Sequence, residues 1–365
     1  MYDELGIVLR QVFQQNFGRN QDEKIIFIAD TITDEQKEQI SPRKQAMILN
    51  REQFVKLLSI RARDLYGTEN ISMFSYPSTL KHGAEPPKSL IQEIQKHHIF
   101  FTLPSYSITY TEILQKSLTK DVRGASMPLA TPEMFKRDSA LITNSHEIEI
   151  IGNKVANTIY NIKNSDPKNE CHVSIQDKFG SSLNFKILEE KLDFSKNYGK
   201  FHNGGDFGNL PAGELYTVPD HYGQVIGKLV IPQEFSKFCN PEYEYLEISF
   251  VDGRVSGLKG AKDSLEQYLG FKRGENAPLS EAIKDSRRNF ALFGIGLNKN
   301  VKNLDNILLC SKKLGACHFG LGTSSIYGGE IKADLHLGFV LPYTNVFINN
   351  QKIIEQGKII ELNRA

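Results

Sequence analysis

The sequence predicts an α/β N-terminal domain with a mostly parallel sheet over residues 1–144, followed by a β-rich α+β domain over residues 145–365. Three observations support this prediction. Helical and strand-like segments alternate through the first half, glycine-rich turns replace that rhythm in the second half, and 365 residues suffice for two hydrophobic cores. A change of pattern of this kind indicates two domains of different architecture.

The first half repeats a strand–helix unit. The strand candidates are KIIFIAD at 24–30, ISMFSYP at 71–77, HIFFTLP at 98–104 and RGASMPL at 123–129, and the helix candidates are 2–16, 51–66, 89–97 and 111–118. Helices between successive strands favour a parallel sheet covered by helices. No strand candidate is followed by a G-x-G-x-x-G or Walker-type loop, so the sequence does not indicate a nucleotide site.

The second half begins with a helix or helix plus strand at 146–164 and then becomes rich in turns. Strand and hairpin candidates are GQVIGKLVIP at 223–232, YLEISFVDGRVSGLKG at 245–260 and CHFGLG at 317–322, with Asp252–Gly253 as a turn dipeptide. Beyond 164, only 262–269 and 279–290 have helical spacing. These features predict an antiparallel, β-rich domain.

Composition excludes several classes of protein. Lys and Arg number 44 against 43 Asp and Glu, for a net charge of +1, and no basic block suggests nucleic-acid binding. No run of about 18 apolar residues predicts a membrane span, and the acidic N-terminus does not resemble a leader. We therefore expect a cytoplasmic protein, whose four cysteines lack paired metal or redox spacing and are reduced.

Two histidines in short apolar runs are the strongest site candidates. His318 and His336 stand near glycines in the stretch from Leu314 to Val340. A single histidine there is most simply a buried imidazole, whereas two of them favour metal ligation. Glu214, at a turn that enters the run LYTV, is the best candidate for a third ligand.

These segments resemble the thermophilic metallo-aminopeptidase family that includes aminopeptidases T and S. The likeness rests on the ordered set GNLPAGE-x-x-T-x-P at 208–219, R-N-x-A-x-x-G-I-G-x-N at 288–298 and G-x-x-H-x-G-x-G from Gly315, followed by Gly-Gly and His336. It extends upstream to FTLPSYSITYTEILQ and covers most of the chain. The resemblance implies a homodimer with a large internal cavity and a peptide substrate.

Two departures from the family pattern bear on the implied metal centre. The family carries a glutamate where this chain has Leu292, and it ends the last ligand segment with His-x-Asp where this chain has Gly338. Two of the five implied ligands are therefore lost, and Glu214, His318 and His336 remain. Two imidazoles and a carboxylate suit one divalent ion, zinc first and iron(II) second.

Three further residues are weaker candidates. Asp334 lies two residues before His336, hence on the same face of a strand, and is a possible substitute ligand. Tyr327 is a catalytic candidate that would stabilise an oxyanion, although its spacing from the first histidine differs from the family's. Arg288 is a candidate for binding a substrate carboxylate. Cys317 would point away from His318, to the opposite face.

Three functions agree with this sequence. The main hypothesis is a metal-dependent hydrolase of the aminopeptidase type with a mononuclear site, although no residue stands out as its general base. A second is a mononuclear non-haem iron dioxygenase, because the dihydroxypyridine ring-opening dioxygenases resemble the same family. The third is a non-catalytic or binding relative, suggested by the apolar Leu292 among charged ligands.

Overall fold

The protein is described here by a computed structural model, which covers residues 2–109, 111–220, 225–273, 279–302, 304 and 306–360. Two compact units are present. Unit 1 consists of Met1–Glu147 and Asn197–Ala212, and unit 2 of Ile148–Lys196 and Gly213–Ala365. The prediction of a single boundary after residue 144 did not anticipate that segment 197–212 returns to unit 1.

Unit 1 is an α/β unit built on a parallel sheet. Its strands are β1 (Ile25–Thr31), β2 (Ile71–Pro77), β3 (Ile99–Thr102), β4 (Arg123–Ser126) and, late in the chain, β8 (Phe207–Asn209). They lie in the order β2-β1-β3-β4-β8, and every pair is parallel. The helices are α1 (Tyr2–Gln11), which continues as a π-helix over Val12–Asn16, α2 (Asp34–Gln39), α3 (Pro42–Tyr66), α4 (Ser89–Ile94) and α5 (Glu112–Ser117).

The apolar runs explain the layers of unit 1. All but the last residue of β1 are buried, as a central parallel strand covered on both faces requires. One core combines Ile26, Ile28 and Phe100 of the sheet with Leu90 of α4 and Leu114 of α5. The strand order reverses at β1, because β2 lies on one side of it and β3 on the other.

Unit 2 contains two antiparallel sheets and most of helix α6 (Ser145–Asn164). The larger sheet has the order β12-β11-β10-β6-β5-β16-β17-β18. Its strands are β5 (Cys171–Gln176), β6 (Ser182–Ile187), β10 (Ile226–Pro232), β11 (Tyr245–Val251), β12 (Arg254–Lys259), β16 (Asn345–Ile348), β17 (Gln351–Glu355) and β18 (Lys358–Ile359). The β11–β12 hairpin turns at Asp252 and Gly253, both at positive φ, as the Asp-Gly dipeptide predicts.

The third sheet has the order β15-β14-β13-β9-β7. Its strands are β7 (Ser195–Asn197), β9 (Glu214–Thr217), β13 (Phe290–Gly296), β14 (Cys317–Gly322) and β15 (His336–Leu341), and the remaining helices are α7 (Asp263–Tyr268), α8 (Glu281–Arg288) and α9 (Ile307–Cys310). Every residue of β13 and β14 is buried. This glycine-rich central pair of strands positions the candidate site.

The predicted fold class is confirmed, since a parallel sheet with helices is followed by antiparallel sheets. The structure extends the predicted helix at 51–66 back to Pro42 and makes 145–164 one continuous helix. Among the described residues, no helix combines the length and the apolar character that crossing a membrane requires.

Candidate functional site

The three predicted ligands lie on one face of the third sheet. His318 in β14 pairs with Gly294 in β13, and Glu214 in β9 pairs with Gly296, two residues further along β13. His336 begins β15 opposite Gly322, four residues beyond His318. Because residues paired across neighbouring strands present their side chains to the same face, the register brings Glu214, His318 and His336 to one side.

Glycines make room for both imidazole rings. A Cβ added at Gly294 would lie 2.1 Å from Nε2 of His318, and one added at Gly320 would lie 2.4 Å from Cε1 of His336. Such distances are far inside van der Waals contact, so no larger residue fits without displacing a ring. The glycines that suggested close approach in the sequence therefore lie beneath the histidine side chains.

Lys312 is the residue that sequence reasoning missed. It follows α9, its side chain is only 3% exposed, and its Nζ lies 2.5 Å from Oε2 of Glu214, whose side chain is 8% exposed. The ammonium also lies 3.2 Å from Oγ of Ser311. This buried ion pair places a positive charge directly on the carboxylate that was predicted to bind a metal.

His318 approaches the same carboxylate. Its Nε2 lies 3.4 Å from Oε2 of Glu214, the oxygen that also meets Lys312. Burial lowers the pKa of His318 to about 4, an effect that the Glu214 carboxylate opposes. Neither ring nitrogen of His318 makes a hydrogen bond of good geometry within the described residues, although the Ser311 backbone lies close enough to raise the pKa of the ring. The imidazole is therefore neutral and buried near pH 7.

His336 has a different environment. Its Nδ1 lies 3.3 Å from the carbonyl oxygen of Thr323, and its ring centroid lies 5.0 Å from that of Tyr327. Burial lowers the pKa of His336 to about 4. With a proton on Nδ1 donated to the carbonyl, Nε2 is left as an acceptor on a neutral ring.

The donor set does not fit a divalent cation in the arrangement observed. Across the described ranges, no group of three or more His, Cys, Asp or Glu side chains is placed to hold a metal ion. Oε2 of Glu214 already accepts from the Lys312 ammonium, and a second cation at that oxygen would be repelled by the first in a low-dielectric environment. The ligand roles of Glu214, His318 and His336 stay predictions.

Leu292 and Gly338 occupy the positions where the family resemblance implies carboxylates. Leu292 is 6% exposed, and a Cβ added at Gly320 would lie 2.9 Å from the Leu292 Cβ. Leu292 pairs with Gly320, and Gly320 pairs with Gly338. The face that holds the histidines therefore carries an apolar side chain and a bare backbone where negative charge was expected.

The secondary candidates each have a partner in the protein. The two carboxylate oxygens of Asp334 receive hydrogen bonds of 2.7 and 2.5 Å from Nε and Nη2 of Arg287. Arg288 donates to the carbonyls of Leu269 and Gly270. The guanidinium of Arg288 also stacks on the ring of Phe271, 3.9 Å from its centroid. These contacts give Asp334 and Arg288 structural partners, and their functional roles stay predictions.

Tyr327 and Cys317 complete the predicted set. The ring of Tyr327 packs against His336 and, edge to face at 5.6 Å, against Tyr216. Cys317 is fully buried on the opposite side of β14, where the Thr344 hydroxyl donates to its sulfur. Burial raises the pKa of the Cys317 thiol to about 12, so this cysteine stays protonated.

The protein therefore combines a parallel α/β unit with a β-rich unit, and one face of the third sheet carries a histidine–carboxylate cluster. The structure of this chain is similar to that of 2,5-dihydroxypyridine dioxygenase from Pseudomonas putida KT2440, with a TM-score of 0.64 at 12% identity. The match covers 98% of this chain and 96% of the dioxygenase. This chain is also similar to AmpT from Thermus thermophilus, over 98% and 99% of the two chains, with a TM-score of 0.59 at 12% identity. At this identity the similarity shows the fold alone.

No family model matches the sequence, and no curated protein matches it. The structural relationship to AmpT agrees with the resemblance read from the GNLPAGE and histidine segments. Since an aminopeptidase T protein and a dioxygenase both have this fold, the fold does not choose between hydrolysis and oxidation.

Proposed function

We propose that this chain is a binding relative of the aminopeptidase T fold, with a site organised by the Lys312–Glu214 ion pair and not by a metal ion. The observation that carries the proposal is the contact between the Lys312 ammonium and Oε2 of Glu214, both nearly excluded from solvent. The ammonium supplies the positive charge that a cation would otherwise bring to Glu214. The ligand would be a peptide or another small molecule.

The positions of Leu292 and Gly338 support the same proposal. A cation held by several ligands is stabilised by their negative charge, and this face supplies one carboxylate already paired with lysine. Leucine and glycine stand at the two positions where the family resemblance implies carboxylates, and the buried Lys312 adds a positive charge beside the remaining one. Each of these features makes the charge of this face less negative.

Metal analysis of the purified protein tests the proposal. Protein prepared without chelator and dialysed against equimolar zinc or iron(II) is expected to retain well under one ion per chain. Lys312→Met, which keeps an apolar stem of similar length, frees Glu214 and is expected to gain zinc. Lys313→Met removes the neighbouring positive charge and serves as the matched control. One tightly bound ion per wild-type chain would contradict the proposal.

A second candidate is the hydrolase with a single ion, zinc more than iron(II). The observation in its favour is His318, a buried imidazole whose Nε2 lies 3.4 Å from Oε2 of Glu214 and whose neutral form is the one that binds metals. This function would require Lys312 to leave Glu214. Zinc-supported cleavage of an aminoacyl p-nitroanilide without oxygen would favour the hydrolase, and iron-dependent oxygen consumption would favour the dioxygenase.

A homodimer and a cytoplasmic location are also proposed, on the family resemblance and on composition respectively. Light scattering tests the first proposal, because a monomer at micromolar concentration would contradict it. Fractionation of cells that produce the full chain tests the second.

A further inference from the structure

A second polar cluster lies in unit 1, where the parallel strands end. Asp30, Thr102, Ser126 and Asn209 stand at the carboxyl ends of β1, β3, β4 and β8, and Tyr76 stands near the end of β2. We call these five residues the carboxyl-edge cluster. In open α/β sheets, ligands bind outside the carboxyl ends of the strands, at the point where the strand order reverses. Here that point lies between β1 and β3.

The register places the cluster on one face of the sheet. Thr102 pairs with Ile28 on one side and Ser126 on the other, and Ser126 pairs with Asn209. Ile28 shares its face with Asp30, two residues further along β1. Asp30 in turn pairs with Tyr76. Tyr76 and Ile28 belong to the core beneath α4 and α5, so the cluster continues that apolar face toward the strand ends.

Three members of the cluster carry buried polar atoms without a hydrogen-bond partner among the described residues. They are the hydroxyls of Tyr76 and Thr102 and Oδ1 of Asn209. Tyr76 is 1% exposed and Thr102 is fully buried. A buried polar group without a hydrogen bond destabilises the fold, and native proteins keep few of them. Thr102 and Asn209 lie two strands apart, about 10 Å at the usual strand spacing, so one small ligand can reach both, whereas Tyr76 lies two strands from Thr102 on the other side.

The charged member of the cluster is already satisfied. Oδ1 of Asp30 accepts from the Ser105 backbone N–H and Oδ2 from the Ser78 hydroxyl, each at 2.7 Å. Arg51 provides an opposite charge nearby. The unpaired groups are therefore neutral, two hydroxyls and an amide oxygen. An uncharged ligand suits them better than an anion or a cation.

A chain of hydroxyls leads into the cluster. The partly exposed Ser107 lies 3.0 Å from Oγ1 of Thr109, which donates to Oγ of the buried Ser126 at 2.9 Å. A hydroxyl can both donate and accept hydrogen bonds, so the hydrogen bonds along this chain can reverse direction to match a bound ligand that also carries hydroxyls. Asn209 Oδ1 requires a donor. Both features favour a ligand that carries several hydroxyl groups.

We propose that unit 1 binds a small uncharged ligand rich in hydroxyl groups, such as a sugar or polyol, at the carboxyl-edge cluster. Thr102 and Asn209 hydrogen-bond this ligand, and Tyr76 closes the site on the side of β2. This site shares no residue with the Lys312–Glu214 pair, and neither proposal depends on the other.

Ligand-observed NMR with D-ribose and glycerol tests the proposal on the full chain, with sodium acetate and tetramethylammonium chloride as charged probes. We expect saturation transfer to ribose or glycerol and none to the charged probes. Thr102→Val, which removes the hydroxyl and keeps the shape, should weaken binding at least about tenfold, as expected for the loss of roughly 1.4 kcal/mol. Thr111→Val is the matched control, since the Thr111 hydroxyl is buried but donates to the carbonyl of Ile108.

Thr102→Ser keeps the hydroxyl and should bind the ligand like the wild type. This second variant keeps the test decisive if Thr102→Val fails to fold. Equal binding by Thr102→Val and the wild type, or transfer to none of the uncharged probes, would overturn the proposal. A crystal structure grown with D-ribose adds a direct readout. Density for water molecules alone at Thr102 and Asn209 would also overturn it.

Discussion

Leu292 and Gly338 lie on one rung of the third sheet, on either side of Gly320. A Cβ at Gly338 would meet only Cγ1 of Ile307, at an ordinary contact distance of 3.9 Å. A carboxylate introduced at either position would therefore share a face with His318 and His336, and the backbone leaves space for it at residue 338. The rung shows where a second metal-binding position could be rebuilt.

Leu292→Glu with Gly338→Asp, made in a Lys312→Met background, should raise bound zinc toward two ions per chain. The two carboxylates supply negative charge, and removal of Lys312 frees Glu214. Zinc content after dialysis is the measurement. The neutral counterpart, Leu292→Gln with Gly338→Asn in the same background, is the control. Equal zinc in the acidic and neutral variants would show that charge on this rung does not govern binding.

Loss of the lysine should destabilise the fold. Lys312→Met leaves the Glu214 carboxylate buried without its cation, which costs about 3–5 kcal/mol in comparable cases. Glu214→Gln added to Lys312→Met removes the stranded charge and should recover part of the loss. Urea unfolding gives the free energies. Lys352→Met breaks the exposed Lys352–Glu355 pair and should cost no more than about 1 kcal/mol.

The stability of the protein should depend on pH through the two histidines. Both have folded-state pKa values of about 4, below the ordinary 6.5, so the unfolded chain binds more protons between these values. Stability is therefore full above pH 6.5 and falls as the pH drops toward 4, by up to about 3 kcal/mol for the buried His318 and by less for the partly buried His336. Urea unfolding of the wild type and His318→Gln, from pH 8 to pH 4.5, measures this effect. A variant with the same pH slope as the wild type would contradict it.

Asp334 should have no part in metal binding. Both of its oxygens accept from Arg287, and its side chain is 52% exposed. In the Lys312→Met background, Asp334→Ala should leave zinc affinity unchanged, whereas His336→Ala or His318→Ala should remove most of it. Calorimetric titration of the three variants makes the comparison. A large loss of affinity in Asp334→Ala would restore this residue as a ligand.

Local patterns in the sequence were enough to predict the fold class. The apolar run at Ile25–Thr31 and the Asp252–Gly253 dipeptide each specify their structure through neighbours in the chain. By contrast, β8 is a three-residue strand in a loop-like, glycine-rich segment, and its place beside β4 depends on contacts with residues about 80 positions earlier. Such pairings leave no periodic signal in the sequence.

In the candidate site too, features that depend on neighbouring residues were predictable and features that depend on distant contacts were not. The glycines near His318 and His336 correctly indicated close approach, because a missing Cβ is visible in the sequence. Lys312 was missed because SKKL is typical of a solvated surface and nothing local shows that one lysine is buried. Its backbone is held by a contact distant in the sequence, since the Asn298 backbone N–H donates to the Lys312 carbonyl.

The return of the chain to the parallel sheet at Phe207–Asn209 has a consequence for synthesis. When the chain has left the ribosome as far as Glu147, β4 still lacks the neighbour that pairs with Gly124, Ala125 and Ser126. The edge of β4 remains unpaired while about 60 more residues are added to the chain, at roughly 5–20 residues per second. A nascent chain that stalls in this interval exposes an unpaired strand, the kind of edge at which chains join one another.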